Sequence, residues 1–175
     1  CCAAATRSAW NPSATPYGRF ALGWRGTYVI NYEFQKQPGG AWINPVGNFN
    51  PLFTDDFNNG GPVFRYRQIF TLNWDMNAYS AGLMYRLASS YRDANSAAGV
   101  PRPYNDNTVG HYGIWDLTAA YKGIKGLTLR AGILNVLDED PPYTNQAGRF
   151  QARAYDDRFH NPLGRTWTLG ASYEF

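Results

Sequence analysis

The sequence lacks the residues from which several classes of protein are built. Its two cysteines, Cys1 and Cys2, are adjacent, so they offer neither a disulfide framework nor metal-ligand spacing. Charged residues make up only 17% of the chain, too few for a disordered protein, and the formal net charge of +3 is scattered, which argues against a nucleic-acid partner. No stretch approaches 18 consecutive apolar residues, so a membrane-spanning helix is excluded. A membrane-spanning β-barrel is not, because its apolar residues alternate with polar ones.

Aromatic residues and glycine are abundant instead. The chain contains 13 Tyr, 10 Phe, 6 Trp and 18 Gly, a composition typical of strands joined by turns. Between Phe20 and Phe34 the even positions are aromatic or aliphatic, with one glycine, and the odd positions are mostly polar or small. This alternation predicts a long strand with one apolar face.

The same alternation returns five more times, interrupted only by Ile69 on a polar face. We expect six strands, at about residues 18–34, 64–75, 78–91, 112–122, 126–137 and 165–175. Residues 1–17 are expected to be the remnant of a preceding strand and a periplasmic turn, and residues 18–175 to be the C-terminal part of a barrel. No signal peptide is visible, so the chain is expected to begin within a longer gene.

The connections alternate between short and long. Residues 75–77 and 122–126 are short turns, whereas residues 35–63, 92–111 and 138–164 are long polar loops. Outer-membrane barrels show this arrangement, with short periplasmic turns and long extracellular loops. A strand of about 11 residues tilted by about 45° also matches an apolar band about 25 Å tall.

Aromatic side chains cluster towards the strand ends, as expected for two belts at the membrane–water boundaries. The belt near the short turns is predicted to contain Trp24, Trp74, Tyr79, Tyr121 and Tyr173. The belt near the long loops is predicted to contain Tyr32, Phe34, Tyr66, Tyr91, Tyr112 and Trp167.

The alternative to a membrane barrel is a soluble β-sandwich or lipocalin-like ligand-binding barrel, whose apolar faces would form its own core. The polar face argues against it, because it carries Arg25, Arg65, Arg67, Arg86 and Arg130, which suit a wide, wet interior.

Three stretches carry a family resemblance. Residues 123–138 read GIKGLTLRAGILNVLD, residues 140–145 read DPPYTN and lead into YDDRFHNPLGR at 155–165, and the chain ends WTLGASYEF. In this order they resemble the C-terminal end of TonB-dependent outer-membrane receptors. The first resembles a penultimate strand with an Asn-Leu-Phe-Asp/Asn-type ending, here Asn-Val-Leu-Asp. The second is similar to the last extracellular loop, and the third to a terminal strand that ends in an aromatic residue. With TPYGRF at 15–20, the resemblance covers nearly the whole chain.

The resemblance implies an all-β fold, an antiparallel up-and-down transmembrane barrel of about 22 strands, of which this chain would supply six. Such receptors take up scarce nutrients, of siderophore, cobalamin or oligosaccharide type, with energy from the TonB system. The implied partners are outer-membrane lipid and lipopolysaccharide, a plug domain with the remaining strands, the TonB complex and the barrel assembly machinery. The implied location is the outer membrane of a Gram-negative bacterium. Six strands cannot close a membrane barrel, so this chain alone is not expected to transport. A porin or adhesin barrel is the alternative within the membrane class.

Few residues point to other chemistry. His111 and His160 lie in predicted loops, and no serine has a nucleophile motif around it, so we predict no enzyme activity and no cofactor. The acidic cluster at 138–140 is followed by two prolines and lacks further ligands at calcium-loop spacing, so we predict no metal site. The candidate ligand-binding residues are in the long connection at 138–164: Arg149, Arg153, Arg158 and His160. The terminal residues that the resemblance assigns to the assembly signal are Trp167, Leu169, Tyr173 and Phe175.

Overall fold

The computed structural model describes residues 3–10, as backbone only, and residues 15–35, 37–48, 62–93, 108–144 and 155–175. Within these residues the regular structure is entirely β. No helix in this part of the chain is long and apolar enough to cross a membrane. The strands in chain order are β1 (Ala3–Trp10), β2 (Arg19–Val29), β3 (Phe34–Gln35), β4 (Trp42–Ile43), β5 (Tyr66–Met76), β6 (Tyr79–Ala88), β7 (Tyr91–Arg92), β8 (Thr108–Val109), β9 (Tyr112–Ile124), β10 (Leu127–Leu134) and β11 (Thr166–Tyr173).

Seven of these strands form one antiparallel sheet, in the order β1-β2-β5-β6-β9-β10-β11. Each strand of the sheet pairs with the next one along the chain, which is the up-and-down order predicted from the sequence. The other four strands form two small hairpins, β3 with β4 and β7 with β8, within the long connections. The predicted all-β, antiparallel fold class is confirmed.

The six predicted strands all have counterparts in the sheet, and β1 adds a seventh within the first 17 residues. The prediction of a strand over 18–34 was too long, because β2 ends at Val29. The guanidinium group of Arg65 explains this end. It donates hydrogen bonds of 3.1 Å to the carbonyl oxygens of Val29 and Ile30, which a neighbouring strand would otherwise occupy. The division at residue 17 stays a prediction.

The short turns lie at one end of the sheet, here called the turn end. Asn77 and Gly126 have positive φ values of 50° and 76°, the left-handed conformation that tight hairpin turns require. The amide of Lys122 donates to the carbonyl of Ala78 (2.8 Å), and that of Glu174 donates to the carbonyl of Gly126 (2.8 Å). Both turns and the end of β11 therefore lie at the turn end of the sheet, as predicted from the short and long connections.

One face of the sheet is apolar and uncovered. The register places Leu22, Leu72, Leu83 and Leu117 in one row across four strands. Leu117 is 40% exposed and Leu169 of β11 is 88% exposed. A soluble sandwich would bury this face against a second sheet, so the described structure contradicts that alternative. The predicted apolar residues Trp24, Tyr28, Leu72, Leu83, Leu117, Leu129 and Leu169 share this face by register and strand alternation.

The opposite face is polar. One row across it contains Asn73, Gly82, Thr118, Gly132 and Thr168. The next row towards the turn end contains the ion pair between Arg19 and Asp75, with 3.4 Å between nitrogen and oxygen. The predicted polar-face residues Arg25, Arg86, Asp116, Arg130 and Thr168 lie on this side by the same alternation.

Three assignments to the aromatic belts were wrong. Trp24 was predicted near the turn end, but it begins a row with Phe70, Tyr85 and Trp115 nearer the other end of the sheet, here called the loop end. The rings in this row are 6.4, 6.3 and 4.4 Å apart, centroid to centroid.

Tyr91 and Tyr112 were predicted in the belt near the long loops, but both are buried. Tyr112 is an even-numbered residue of β9, whose even positions face the polar side and whose odd positions, such as Leu117, face the apolar side. Tyr91 packs with Phe64 and Val109 in a small core at the loop end. These rings therefore pack against other parts of the chain.

Candidate ligand-binding site

A depression opens on the polar face at the loop end of the sheet. It has a volume of about 300 Å³ and lies between β5, β6, β9 and the segment 155–165, which we call the last loop. Aromatic, aliphatic and basic side chains line it together. The lining residues include Phe64, Arg67, Arg86, Tyr112, Arg158 and Phe159.

Strand register brings the strand residues of this depression together. Arg67 of β5 is paired with Ala88 of β6, which is paired in turn with Tyr112 of β9. Arg86 lies one step further into the sheet, between Ile69 and Ile114. All these positions belong to the polar-face set, so alternation alone directs their side chains to one side.

Two of the three arginines are neutralised within the described structure. The guanidinium of Arg86 lies 2.7 Å from a carboxylate oxygen of Asp116, which is 3% exposed. The guanidinium of Arg158 lies 2.8 Å from a carboxylate oxygen of Asp156, which is fully buried. Each buried carboxylate is therefore compensated by one cation, as buried charges require.

Arg67 is the third arginine, and it takes part in none of the ion pairs between described residues. Its guanidinium carbon lies 4.4 Å from the ring centroid of Phe64 and 5.4 Å from that of Phe159. The two rings pack edge to face, with centroids 5.3 Å apart. Such cation–π contacts orient a guanidinium but leave its charge uncompensated. Among the described residues, the depression therefore carries one excess positive charge beside two aromatic rings.

The last loop is fixed by Asp156. Its carboxylate accepts hydrogen bonds from the backbone amide of Arg158 (3.1 Å) and from Nε and Nη2 of the same residue (2.9 and 2.8 Å). Hydrogen bonding to Asp156 raises the pKa of Arg158 above its ordinary value. The loop is therefore held as a compact turn that presents Phe159 to Phe64 and Arg67.

His160 completes that turn. Its backbone amide donates to the carbonyl of Asp156 (3.1 Å), and its Nδ1 lies 3.0 Å from the same oxygen. The ring packs edge to face on Tyr112, with centroids 5.0 Å apart, and is 2% exposed. Burial lowers the pKa of His160 from its ordinary value of 6.5, outweighing both the hydrogen bond to the carbonyl of Asp156 and the attraction of the Asp156 carboxylate. The imidazole is therefore held neutral near neutral pH.

Known structures share this fold. A mutant of the ferric enterobactin receptor of Pseudomonas aeruginosa, in complex with enterobactin, matches 99% of this chain at 15% identity with a TM-score of 0.59. The ferric-catecholate import receptor Fiu of E. coli matches 98% at 15% identity with a TM-score of 0.50. The copper transporter OprC matches 95% at 15% identity with a TM-score of 0.51. These neighbours are TonB-dependent receptors.

The chain has the fold of a TonB-dependent receptor barrel segment. It spans 22%, 21% and 22% of the three chains that it matches. No family model matches the sequence. At 15% identity, the likeness concerns the fold. It agrees with the resemblance that the three stretches of sequence carry.

Two of those stretches, residues 123–138 and 155–165, are joined by hydrogen bonds in this fold. Asn135 and Asp138, the ends of the Asn-Val-Leu-Asp sequence, have positive φ values of 53° and 59° and turn the chain sharply after β10. A carboxylate oxygen of Asp138 accepts a hydrogen bond from the amide of Arg165 (2.6 Å), and Nε of Arg165 donates to the carbonyl of Val136 (2.9 Å). The two sequences thus form one contact that holds both ends of the last connection.

The structure brings together two of the four predicted ligand residues, Arg158 and His160, at the edge of the depression. Arg149 and Arg153 lie outside the described residues. Arg158 is engaged by Asp156 and His160 is buried, so neither offers a free charge to a ligand. The sequence reasoning missed Phe64, Phe159 and the importance of Arg67. The available signal was the polar-face position of Arg67, but its contact with a loop far along the chain requires the fold.

The remaining site predictions concern metals and the terminal strand. No group of three or more His, Cys, Asp or Glu residues within the described part of the chain could hold a metal ion. The predicted assembly residues Trp167, Leu169, Tyr173 and Phe175 are all exposed. The rings of Tyr173 and Phe175 meet edge to face, 5.1 Å apart. Their role in assembly stays a prediction.

Proposed function

We propose that this chain is part of the barrel wall of an outer-membrane transporter that imports a scarce nutrient with energy from the TonB system. The observation that carries the proposal is the match of 99% of the chain to a receptor barrel. The uncovered apolar face supports it, because lipid is the solvent in which such a face is stable. The proposed location is the outer membrane of a Gram-negative bacterium, and the proposed role is transport rather than catalysis.

The proposed partners follow from the same architecture. The apolar face contacts membrane lipid, with lipopolysaccharide around the loop end. The polar face lines the interior, where the remaining strands and a plug domain complete the transporter. The TonB complex acts on the parent protein outside this chain, and the barrel assembly machinery inserts it. Transport is a property of the complete receptor, since seven strands leave two open edges.

The ligand that suits the Arg67 depression is an anion with an aromatic part. The uncompensated guanidinium attracts a carboxylate or catecholate, and the partly exposed ring of Phe159 beside it offers an aromatic contact. Among the nutrient classes of this fold, an iron siderophore has this chemistry. A free metal cation would be repelled by the charge of Arg67, and a neutral oligosaccharide would leave it unpaired.

The test is binding and uptake of ferric enterobactin, the probe suggested by a structural neighbour, by the full-length receptor and its Arg67→Gln variant. Loss of one charged hydrogen bond should weaken binding about tenfold or more, because such bonds contribute about 1.5–3 kcal/mol. Arg19→Gln is the matched control: it removes a polar-face arginine at the turn end, and should leave binding unchanged.

Two outcomes would contradict the proposal. If ferric enterobactin enters but collapse of the proton-motive force does not slow it, the protein is a passive porin. If Arg67→Gln and Arg19→Gln bind every anionic siderophore tested as tightly as the parent, the depression is not the ligand site.

A further inference from the structure

We propose that His160 is a pH-sensitive latch: in its neutral form it holds the last loop on the sheet beside the depression, and its protonation releases the loop and removes Phe159 from Phe64 and Arg67. The link to ligand binding rests on the proposed function. The latch itself concerns only how the last loop is held on the sheet, and it is tested without ligand.

The latch is built from contacts between the last loop and β9. The imidazole of His160 packs on the ring of Tyr112, and the hydroxyl of Tyr112 donates to the backbone carbonyl of Asn161 (3.4 Å). Next to it, Phe159 packs on Phe64. His160 is 2% exposed, so undocking of the last loop would bring its ring into water.

The neutral form fits this site. Nδ1 lies 3.0 Å from the carbonyl oxygen of Asp156, so it carries the proton and donates it, and Nε2 is left without one. A carbonyl oxygen can accept a hydrogen bond from neutral imidazole as well as from imidazolium, so this contact alone does not require a charge.

The charged form does not fit, because the groups around His160 are already balanced or positive. Burial lowers the pKa of His160 most, the charge of Arg67 on β5 lowers it further, and Tyr112 from β9 is an uncharged phenol. On its own loop, the carboxylate of Asp156 raises the pKa of His160, but this carboxylate already accepts three hydrogen bonds from Arg158. From β7, Tyr91 also borders that carboxylate; burial, and after it the charge of Asp156, raises the pKa of the Tyr91 hydroxyl and keeps it neutral. An imidazolium would therefore be buried without a carboxylate of its own.

The direction of the pH effect follows from linkage. Because the docked loop lowers the pKa of His160, docking is fully favoured above the ordinary value of 6.5. It is weakened as pH falls below that value, since the undocked loop binds the proton more tightly. Each unit by which docking lowers the pKa corresponds to a tenfold shift in the docking equilibrium.

The test measures amide hydrogen exchange of residues 155–165 in the full-length receptor at pH 7.5 and pH 5.0, corrected for the intrinsic pH dependence of exchange. The parent protein should lose protection at pH 5.0, by a factor set by how far docking lowers the pKa of His160. His160→Asn should show no such loss, because its amide nitrogen can replace Nδ1 as the donor to Asp156 and does not titrate. His111→Asn, which removes the exposed loop histidine, is the matched control and should behave like the parent.

Unchanged protection in the parent at pH 5.0, or an equal loss in His160→Asn, would overturn the latch. If His160→Asn fails to assemble, exchange of the C2 proton of His160 in the parent gives its titration midpoint directly. A midpoint below 6.5 supports the latch and one at or above 6.5 overturns it. A failure of transport with intact pH-dependent docking would refute the proposed function and leave the latch standing.

Discussion

At the scale of single residues, the buried carboxylate of Asp116 organises the loop end of the sheet. It accepts hydrogen bonds from the guanidinium of Arg86 on β6 (2.7 Å) and from the backbone amide of Asn135 at the end of β10 (2.9 Å). The side-chain amide of Asn135 then donates to the carbonyl of Glu139, and its oxygen accepts from the amide of Glu139, both at 2.9 Å. One side chain on β9 thus joins β6 to the turn after β10.

Asp116→Asn should lower the free energy of unfolding by about 2 kcal/mol, because it leaves the charge of Arg86 without a partner. Asp75→Asn is the matched control. It removes the same charge from an exposed pair with Arg19, where an ion pair contributes about 0–1 kcal/mol. Urea unfolding of the full-length receptor in detergent measures both. Equal losses in the two variants would show that Asp116 has no special part in stability.

The sequence alone predicted on which face of the sheet these residues lie, but not which residues they contact. Alternation placed Arg67, Arg86 and Asp116 on the polar face, and this is confirmed. It could not show that Asp116 neutralises Arg86 while Arg67 keeps its charge, because that depends on which residues the register places side by side. It also named Asp138 and Arg165 in separate motifs, whose contact follows only from the folded last connection.

At the scale of strands, the terminal strand β11 has a free edge and an apolar face. It pairs with β10 along its length, and Trp167, Leu169 and Tyr173 lie on the exposed side. Its other edge offers unpaired amide and carbonyl groups, the feature through which one strand can pair with another chain. The resemblance assigns this strand a part in recognition by the assembly machinery.

We therefore expect Phe175→Asp to reduce the amount of full-length receptor in the outer membrane far more than it weakens barrels that have assembled. The side chain is fully exposed, and an acidic residue near the membrane interface costs about 1 kcal/mol or less. Immunoblots of outer membranes measure the amount, and heat resistance in detergent measures stability. Phe175→Tyr, which keeps the aromatic ring, is the control. Normal abundance of Phe175→Asp would remove the case for an assembly role.

The strands were the features most accessible from sequence. Period-2 alternation located six of the seven strands of the sheet and both predicted turns, because each membrane-type strand repeats the same pattern over many residues. The sequence predicted only the remnant of a strand where β1 lies, because Ala3–Trp10 contains mainly small and polar residues without a clear alternation. The short hairpins β3–β4 and β7–β8 were missed because two-residue strands are too short for any periodicity.

At the scale of the whole molecule, we propose that the sheet is a wall between lipid and the water-filled or protein-filled interior of a receptor. Register places Leu117 and Thr118, which are neighbours in β9, on opposite sides of that wall. Leu117 is exposed on the apolar face, and the hydroxyl of Thr118 donates to the carbonyl of Gly82 (3.3 Å) on the polar face.

The most direct measurement places a fluorescent label at position 117 or 118 of the full-length receptor, through Leu117→Cys or Thr118→Cys. Cys1 and Cys2 are replaced by serine so that only the new cysteine is labelled. The labelled receptor is placed in bilayers whose lipids carry quenching groups on their acyl chains. The lipid quencher should strongly reduce the fluorescence of the label at position 117 and leave that at position 118 nearly unchanged. Equal quenching at the two positions, or stronger quenching at 118, would contradict the account that the apolar face of this sheet is in contact with lipid.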